Sequence, residues 1–193
     1  MKKVLVVDDT KNIRELLTKC LRLEGYEVKT SSDGNEAVEM FSQEAFDLAF
    51  LDIKMPFLSG TEVLKRIREM GISTPVIIIT AYATIKNTFE CTHMGAVAYL
   101  QKPFTPEKIR NILSELNESE ASNQAAKDYI TEAKIMLQER LFLEAIHFLK
   151  RALSQNPLDA QIYLLLSQAS EGLGNYEDAR KYVNIYESIF DPS

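Results

Sequence analysis

Short apolar runs recur along the first 117 residues, and each ends on a polar side chain. Val4-Leu5-Val6-Val7 runs into Asp8-Asp9, Leu48-Ala49-Phe50-Leu51 into Asp52, Pro75-Val76-Ile77-Ile78-Ile79 into Thr80, and Val97-Ala98-Tyr99-Leu100 into Gln101-Lys102-Pro103. Runs of four or five apolar residues are too short for helices and read as buried strands. Tyr26 to Thr30 alternates as a fifth, shorter strand. Between the runs the apolar period changes to that of a helix. Ile13, Leu16, Leu17, Cys20 and Leu21 share one face of a helix over Thr10 to Glu24, with Thr10 as N-cap and Gly25 as stop. Ala37, Met40 and Phe41 mark a second helix over Glu36 to Ser42, and Val63, Leu64 and Ile67 a third near Ser59 to Met70. Thr84 to Met94 and Thr105 to Leu116 complete the set.

Strand and helix alternating five times predicts an α/β domain with a doubly wound, five-stranded parallel sheet and helices on both faces. In such sheets ligands bind beyond the carboxyl ends of the strands. Asp8, Asp9, Asp52, Thr80 and Lys102 therefore converge on one spot, although they are far apart in the chain.

From residue 118 the pattern is helical only. Asn117 to Lys127 is polar and small, which predicts a domain linker over 118–127; with neither Gly nor Pro, the same stretch also suits an extension of the preceding helix. Beyond it, a shift of 34 residues superposes Tyr129 on Tyr163, Phe142 on Tyr176, Ala145 on Ala179 and Leu149 on Val183. A 34-residue helix-turn-helix period is that of tetratricopeptide repeats. Ala145, Ala152 and Pro157 match that family's consensus in the first copy, and Tyr163, Leu166, Gly174, Tyr176 and Ala179 in the second. The expected division is thus 1–117 for the α/β domain and 128–193 for an all-α helical-repeat domain of two repeats. The last helix carries Tyr182, Val183, Ile185, Tyr186, Ile189 and Phe190, more apolar surface than a solvent-facing cap needs. It is expected to pack on another copy, giving a homodimer, or on the first domain.

The chain has 193 residues and a net charge of -6. The charge is uneven: -1 over residues 1–117 and -5 over 118–193. Phosphate contacts dominate nucleic-acid affinity, so direct nucleic-acid binding by the acidic second part is not expected. No apolar stretch approaches the roughly 18 residues of a membrane span, and Met1-Lys2-Lys3 leads straight into a strand, so a cytoplasmic protein without membrane association is expected. Cys20 and Cys91 lie in helical patterns without metal-ligand spacing and read as reduced filler. His93 reads as a surface helix residue.

Five separated elements occur in order: Asp8-Asp9, then Asp52-Ile53-Lys54-Met55-Pro56 with Gly60 following, Thr80-Ala81, Tyr99, and Lys102-Pro103-Phe104. Any one has an ordinary explanation as a helix cap or loop; the set does not. Residues 1–117 resemble the CheY-like receiver domain of two-component response regulators. The resemblance implies the flavodoxin-like strand order and a phosphoryl group accepted on Asp52 from a sensor histidine kinase or phosphotransfer protein. It implies Mg2+ bound by Asp9, Asp52 and the backbone carbonyl of Lys54, with Asp8 acting through water. Crowded carboxylates repel one another, and a hard divalent cation relieves that repulsion. Thr80 and Lys102 would meet phosphoryl oxygens, with Ala81 and Pro103 completing the phosphoryl-binding loops, and the Lys102-Pro103 peptide would be cis. Tyr99 would be the family's rotating aromatic, on a switch surface with Phe89 and Ile109. Lys54 and Tyr82 would tune phosphoryl lifetime. Such a protein is no enzyme in the ordinary sense; it assists its own phosphoryl transfer and dephosphorylation, and signals through a protein partner of the helical domain.

Two other readings compete. A degenerate receiver would be a protein scaffold, which an intact five-part site opposes. A phosphohydrolase of the haloacid-dehalogenase type needs Asp-x-Asp-x-Thr, and Asp8-Asp9-Thr10 has the wrong spacing.

Overall fold

In a computed structural model that describes residues 1–81 and 91–191, the chain divides into two compact units, 1–114 and 115–193. The first contains β1 (Lys3–Val7), α1 (Lys11–Leu23), β2 (Glu27–Ser31), α2 (Gly34–Gln43), β3 (Leu48–Asp52), α3 (Gly60–Glu69), β4 (Val76–Thr80) and β5 (Ala96–Gln101). Next comes α4 (Pro106–Gln138), whose first residues belong to this unit. The strands form one parallel sheet in the order β2-β1-β3-β4-β5, the doubly wound arrangement that the strand–helix alternation implies. Of the helix expected over Thr84 to Met94, residues 84–90 lie outside the described residues, as do Tyr82 and Phe89; residues 91–93 are helical.

Every residue of β3 and of β4 is buried, as continuous apolar runs covered on both faces must be. Leu5, Val7, Leu51 and Ile78 pack with Val63, Leu64 and Ile67 of α3 in one cluster. Removing a Leu or Ile side chain from such a core costs about 2–5 kcal/mol. The helices start where the side chains supply caps. Asp33 accepts from the backbone N–H of Asn35 and Glu36, and Ser59 with Glu62 forms a reciprocal capping box. Thr10 also occupies an N-cap, but its hydroxyl donates to Asp9 and makes no cap bond. Both cysteines are buried and free.

Gly60 holds the start of α3 against the end of β3. A Cβ there would lie 2.2 Å from the carbonyl oxygen of Asp52, so only glycine allows this approach. Phe57, in the loop between them, has φ 66° and is 93% exposed. Neither packing nor glycine's freedom explains a left-handed aromatic in that place.

In the second unit the rest of α4 is followed by α5 (Phe142–Gln155), α6 (Ala160–Gly172) and α7 (Tyr176–Phe190). Residues 118–127 are helical throughout. Their Ala, Glu, Gln and Lys favour helix without needing a core, and between Leu113 and Ala126 no side chain is fully buried. Small residues sit where helices cross: Ala133, Ala145, Ala152 and Ala169 are fully buried with Leu149, Ile162 and Leu166. Gly172 lies against the Phe142 ring, 2.3 Å from where its Cβ would be. Part of the last helix's apolar face is covered inside this unit, since Tyr182 packs on the cluster and the Phe190 ring centroid lies 5.9 Å from that of Tyr163. Ile189 stays 47% exposed.

Candidate functional site

Asp8 follows β1, Asp52 ends β3, Thr80 ends β4, and Lys102 follows β5, so parallel strands carry all four to one edge of the sheet. The register tightens this. Thr80 pairs with Gln101, and the backbone N–H of Lys102 donates to the Thr80 carbonyl at 2.8 Å. Lys102-Pro103 is a cis peptide. The Lys102 Nζ reaches Asp52 Oδ2 at 2.7 Å and Asp8 Oδ2 at 2.8 Å, bridging carboxylates 44 residues apart in the chain.

Asp8 and Asp52 are 0% and 4% exposed, whereas Asp9 is open to solvent. Asp8 Oδ1 accepts from the backbone N–H of Thr10 at 2.9 Å. Asp8 Oδ2 is buried and faces the Lys102 ammonium. Asp52 Oδ1 accepts a long bond, 3.3 Å, from the N–H of Lys54. Burial pushes the Asp52 carboxyl above its ordinary value, the hydrogen bond and charge of Lys102 oppose this, and the Asp8 charge adds to the rise. For Lys102, burial works to lower its pKa, but the hydrogen bonds to Asp52 and Asp8 outweigh it and hold the ammonium above the ordinary value. The Lys102 ammonium thus offsets part of the cost of burying the Asp52 carboxylate, the form a nucleophilic Asp52 requires.

One oxygen each from Asp8, Asp9 and Asp52 lies within 4.8 Å of the others, a group that could hold a metal ion. The donors are all hard carboxylate oxygens crowded on one spot, two of the three residues buried, so they fit a small hard cation such as Mg2+.

The other expected site residues lie around this centre in different states. Thr80 is buried, and Ala81 beside it is exposed. Tyr99 is half-buried on β5 with its hydroxyl 3.0 Å from Thr92 Oγ1, and burial pushes its phenol pKa up. The Lys54 side chain is exposed. Ile109 is fully buried and so is not part of any surface, contrary to expectation. Two arginines were not anticipated. Arg14 Nη1 donates to the carbonyls of Asp8 (2.7 Å) and Asp9 (3.0 Å), fastening the acid pair from the first turn of α1. Arg68 donates to the carbonyls of Ile72, Thr74, Met94 and Gly95, tying the end of α3 to the chain ahead of β4 and of β5. An Arg five residues beyond the acid pair was the available signal for the first; the second left none.

The model of the response regulator receiver domain matches residues 4–114, more than half of the chain. The chain belongs to the response regulator receiver family. The receiver is followed by tetratricopeptide repeat, matched over residues 136–187. Among curated relatives, the Escherichia coli regulatory protein AtoC is 34% identical over 111 residues, 58% of this chain and 24% of its own. Sporulation initiation phosphotransferase F of Bacillus subtilis is 37% identical over 109 residues, 56% of this chain and 88% of its own. The solved structure of response regulator protein TrrA from Thermotoga maritima, in complex with Mg(2+)-BeF, is 39% identical with a TM-score of 0.55, covering 60% of this chain and 99% of that one. The chain spans only about a quarter of AtoC's length. Among the described residues, no helix is long and apolar enough to cross a membrane.

Proposed function

We propose that this response regulator takes a phosphoryl group onto Asp52 from a phosphohistidine on a sensor histidine kinase or phosphotransfer protein. The observation that carries the reading is the Lys102 ammonium set between Asp52 and Asp8 beside a three-carboxylate group. An Asp52 oxygen forms the bond to phosphorus as the P–N bond to the donor breaks, and the electron pair leaves with the imidazole. Lys102 neutralises charge on the equatorial oxygens during the transfer. The Thr80 hydroxyl, at the end of β4, donates to a phosphoryl oxygen, and the Ala81 and Pro103 segments shape the pocket. Asp9, Asp52 and the Lys54 carbonyl would hold Mg2+, with Asp8 acting through water; the ion supplies further charge neutralisation and alignment. TrrA, solved with Mg(2+)-BeF, supports that choice of metal.

The new dianion then draws Thr80 inward and frees space for Tyr99, which must give up its Thr92 hydrogen bond to move. Residues 1–117 serve as receiver and 128–193 as a two-repeat output domain that binds protein, in the cytoplasm, without direct contact to nucleic acid or membrane. The exposed part of α7, around Ile189, is the surface for a second copy.

Incubation with acetyl phosphate and Mg2+ tests this. A stable label is expected on Asp52, absent from Asp52→Asn. Steady phosphate release without a label would favour a phosphohydrolase, and no reaction would favour a scaffold. A label that persists in Asp52→Asn would place the acceptor elsewhere.

A further inference from the structure

β2 is an edge strand, paired only with β1. The Glu27 N–H donates to the Lys2 carbonyl and the Ser31 carbonyl accepts from Asp8 N–H, so odd-numbered peptide groups of β2 face β1. By the two-residue period, the N–H and C=O groups of Val28 and Thr30 face outward. The side chains of these same two residues line, with α1, a groove of about 650 Å3. Its other wall carries Lys11, Arg14, Lys19 and Arg22 against a single acid, Glu15, on a chain whose net charge is -6.

These cations differ in availability. Lys11 lies 3.7 Å from Glu15, and Arg14 is held by the Asp8 and Asp9 carbonyls. Lys19 and Arg22 have neither an ion pair nor a hydrogen-bond partner among the described residues. Val28 and Leu23, the latter 78% exposed, add an apolar floor. The opposite face of β2 is already occupied, since Glu44 binds both Lys29 and Lys3. From Lys19 to Arg22 the helix advances about 4.5 Å, less than the two-residue repeat of an extended chain, so the two cations can meet successive same-side carboxylates of one strand. It is the open strand edge beside them that suits an extended chain better than a compact anion.

We propose that this groove binds an extended acidic peptide segment of a partner protein, added to β2 as a sixth strand. Its backbone pairs with Val28 and Thr30, its α1-facing carboxylates reach Lys19 and Arg22, and their methylene stems lie on Val28 and Leu23. Lys19 and Arg22, unlike Arg14, make no contact with the acid pair, so altering them tests peptide binding apart from phosphorylation.

The test uses the full chain and an end-blocked hexapeptide of alternating glutamate and valine, with the lysine–valine counterpart and inorganic pyrophosphate as comparisons. Hydrogen exchange at the Val28 and Thr30 amides should slow at least about tenfold with the acidic peptide and not with the basic one. Lys19→Glu combined with Arg22→Glu should weaken the acidic peptide about tenfold while acetyl phosphate still labels Asp52. Equal binding of the basic peptide, unprotected Val28 and Thr30 amides, or undiminished binding to the double variant would each overturn the proposal. Pyrophosphate that displaces the peptide, with neither amide protected, would show a simple anion site and overturn it too.

Discussion

Replacing Lys102 by Met isolates what the ammonium does for the receiver's own stability. The substitution keeps the length of the side chain and removes the ammonium that faces Asp8 Oδ2 at 2.8 Å and Asp52 Oδ2 at 2.7 Å. The Lys102 side chain is 18% exposed and its partners 0% and 6%, so solvent screens the lost attraction little. Removing one partner of a buried pair costs about 3–5 kcal/mol. The lower end, about 3 kcal/mol, is expected here, because Asp8 keeps the Thr10 N–H and Asp52 the Lys54 N–H.

The loss must depend on pH. Burial already raises the Asp52 carboxyl above its ordinary 3.8, and the variant loses both Lys102 contributions that lower it, so its folded pKa climbs further. A carboxyl that binds its proton more tightly when folded favours the folded state at low pH, and that advantage is lost as pH rises through the folded value. The deficit against wild type should therefore be full at pH 7.5 and shrink towards pH 4. Urea unfolding of both proteins in EDTA measures it at each pH, and Mg2+ should return more stability to the variant than to wild type, where the ammonium competes for the same oxygens. A deficit under about 1 kcal/mol at pH 7.5, or one equal at both pH values, would refute the reasoning.

Gly60→Ala should cost about 2 kcal/mol or more, because its Cβ meets the Asp52 carbonyl oxygen at 2.2 Å, and should slow phosphoryl labelling by displacing the end of β3; thermal melting and a labelling time course check both. Arg68→Met should cost about 2 kcal/mol and speed hydrogen exchange in residues 72–76 and 94–96, which its four carbonyl contacts hold in place. Unchanged exchange there would show that the clamp is ornamental. Phe57→Gly should raise stability by about 0.5–1 kcal/mol, since it relieves a left-handed backbone at a side chain that buries almost nothing. A loss in denaturant unfolding would mean that the ring has a partner within the fold.

What was legible in the sequence, and what was not, follows from the kind of information each feature needs. A parallel sheet brings all strand carboxyl ends to one edge, so apolar runs ending in Asp8, Asp52, Thr80 and near Lys102 were enough to place these residues at that edge, where Asp8, Asp52 and Lys102 touch. Distances were out of reach: nothing in the spacing says that one ammonium bridges Asp8 and Asp52. Arg68 was invisible because its partners are backbone carbonyls, which every residue has. The stretch 118–127 was ambiguous for a related reason. A polar segment rich in Ala, Glu and Gln has the composition of a linker and the propensity of a helix, and it forms one without burying anything.

The repeats show the same limit from the other side. Consensus at a position describes a family's average packing and not the local partner. Tyr176 stands at a consensus place yet is 73% exposed, while its counterpart Phe142 packs on Gly172. The first copy's ring is received by the glycine of a neighbouring helix, a local partner that the consensus position does not specify. The apolar side chains of α7 divide accordingly: Tyr182 and Phe190 find partners within the unit, and Ile189 stays 47% exposed.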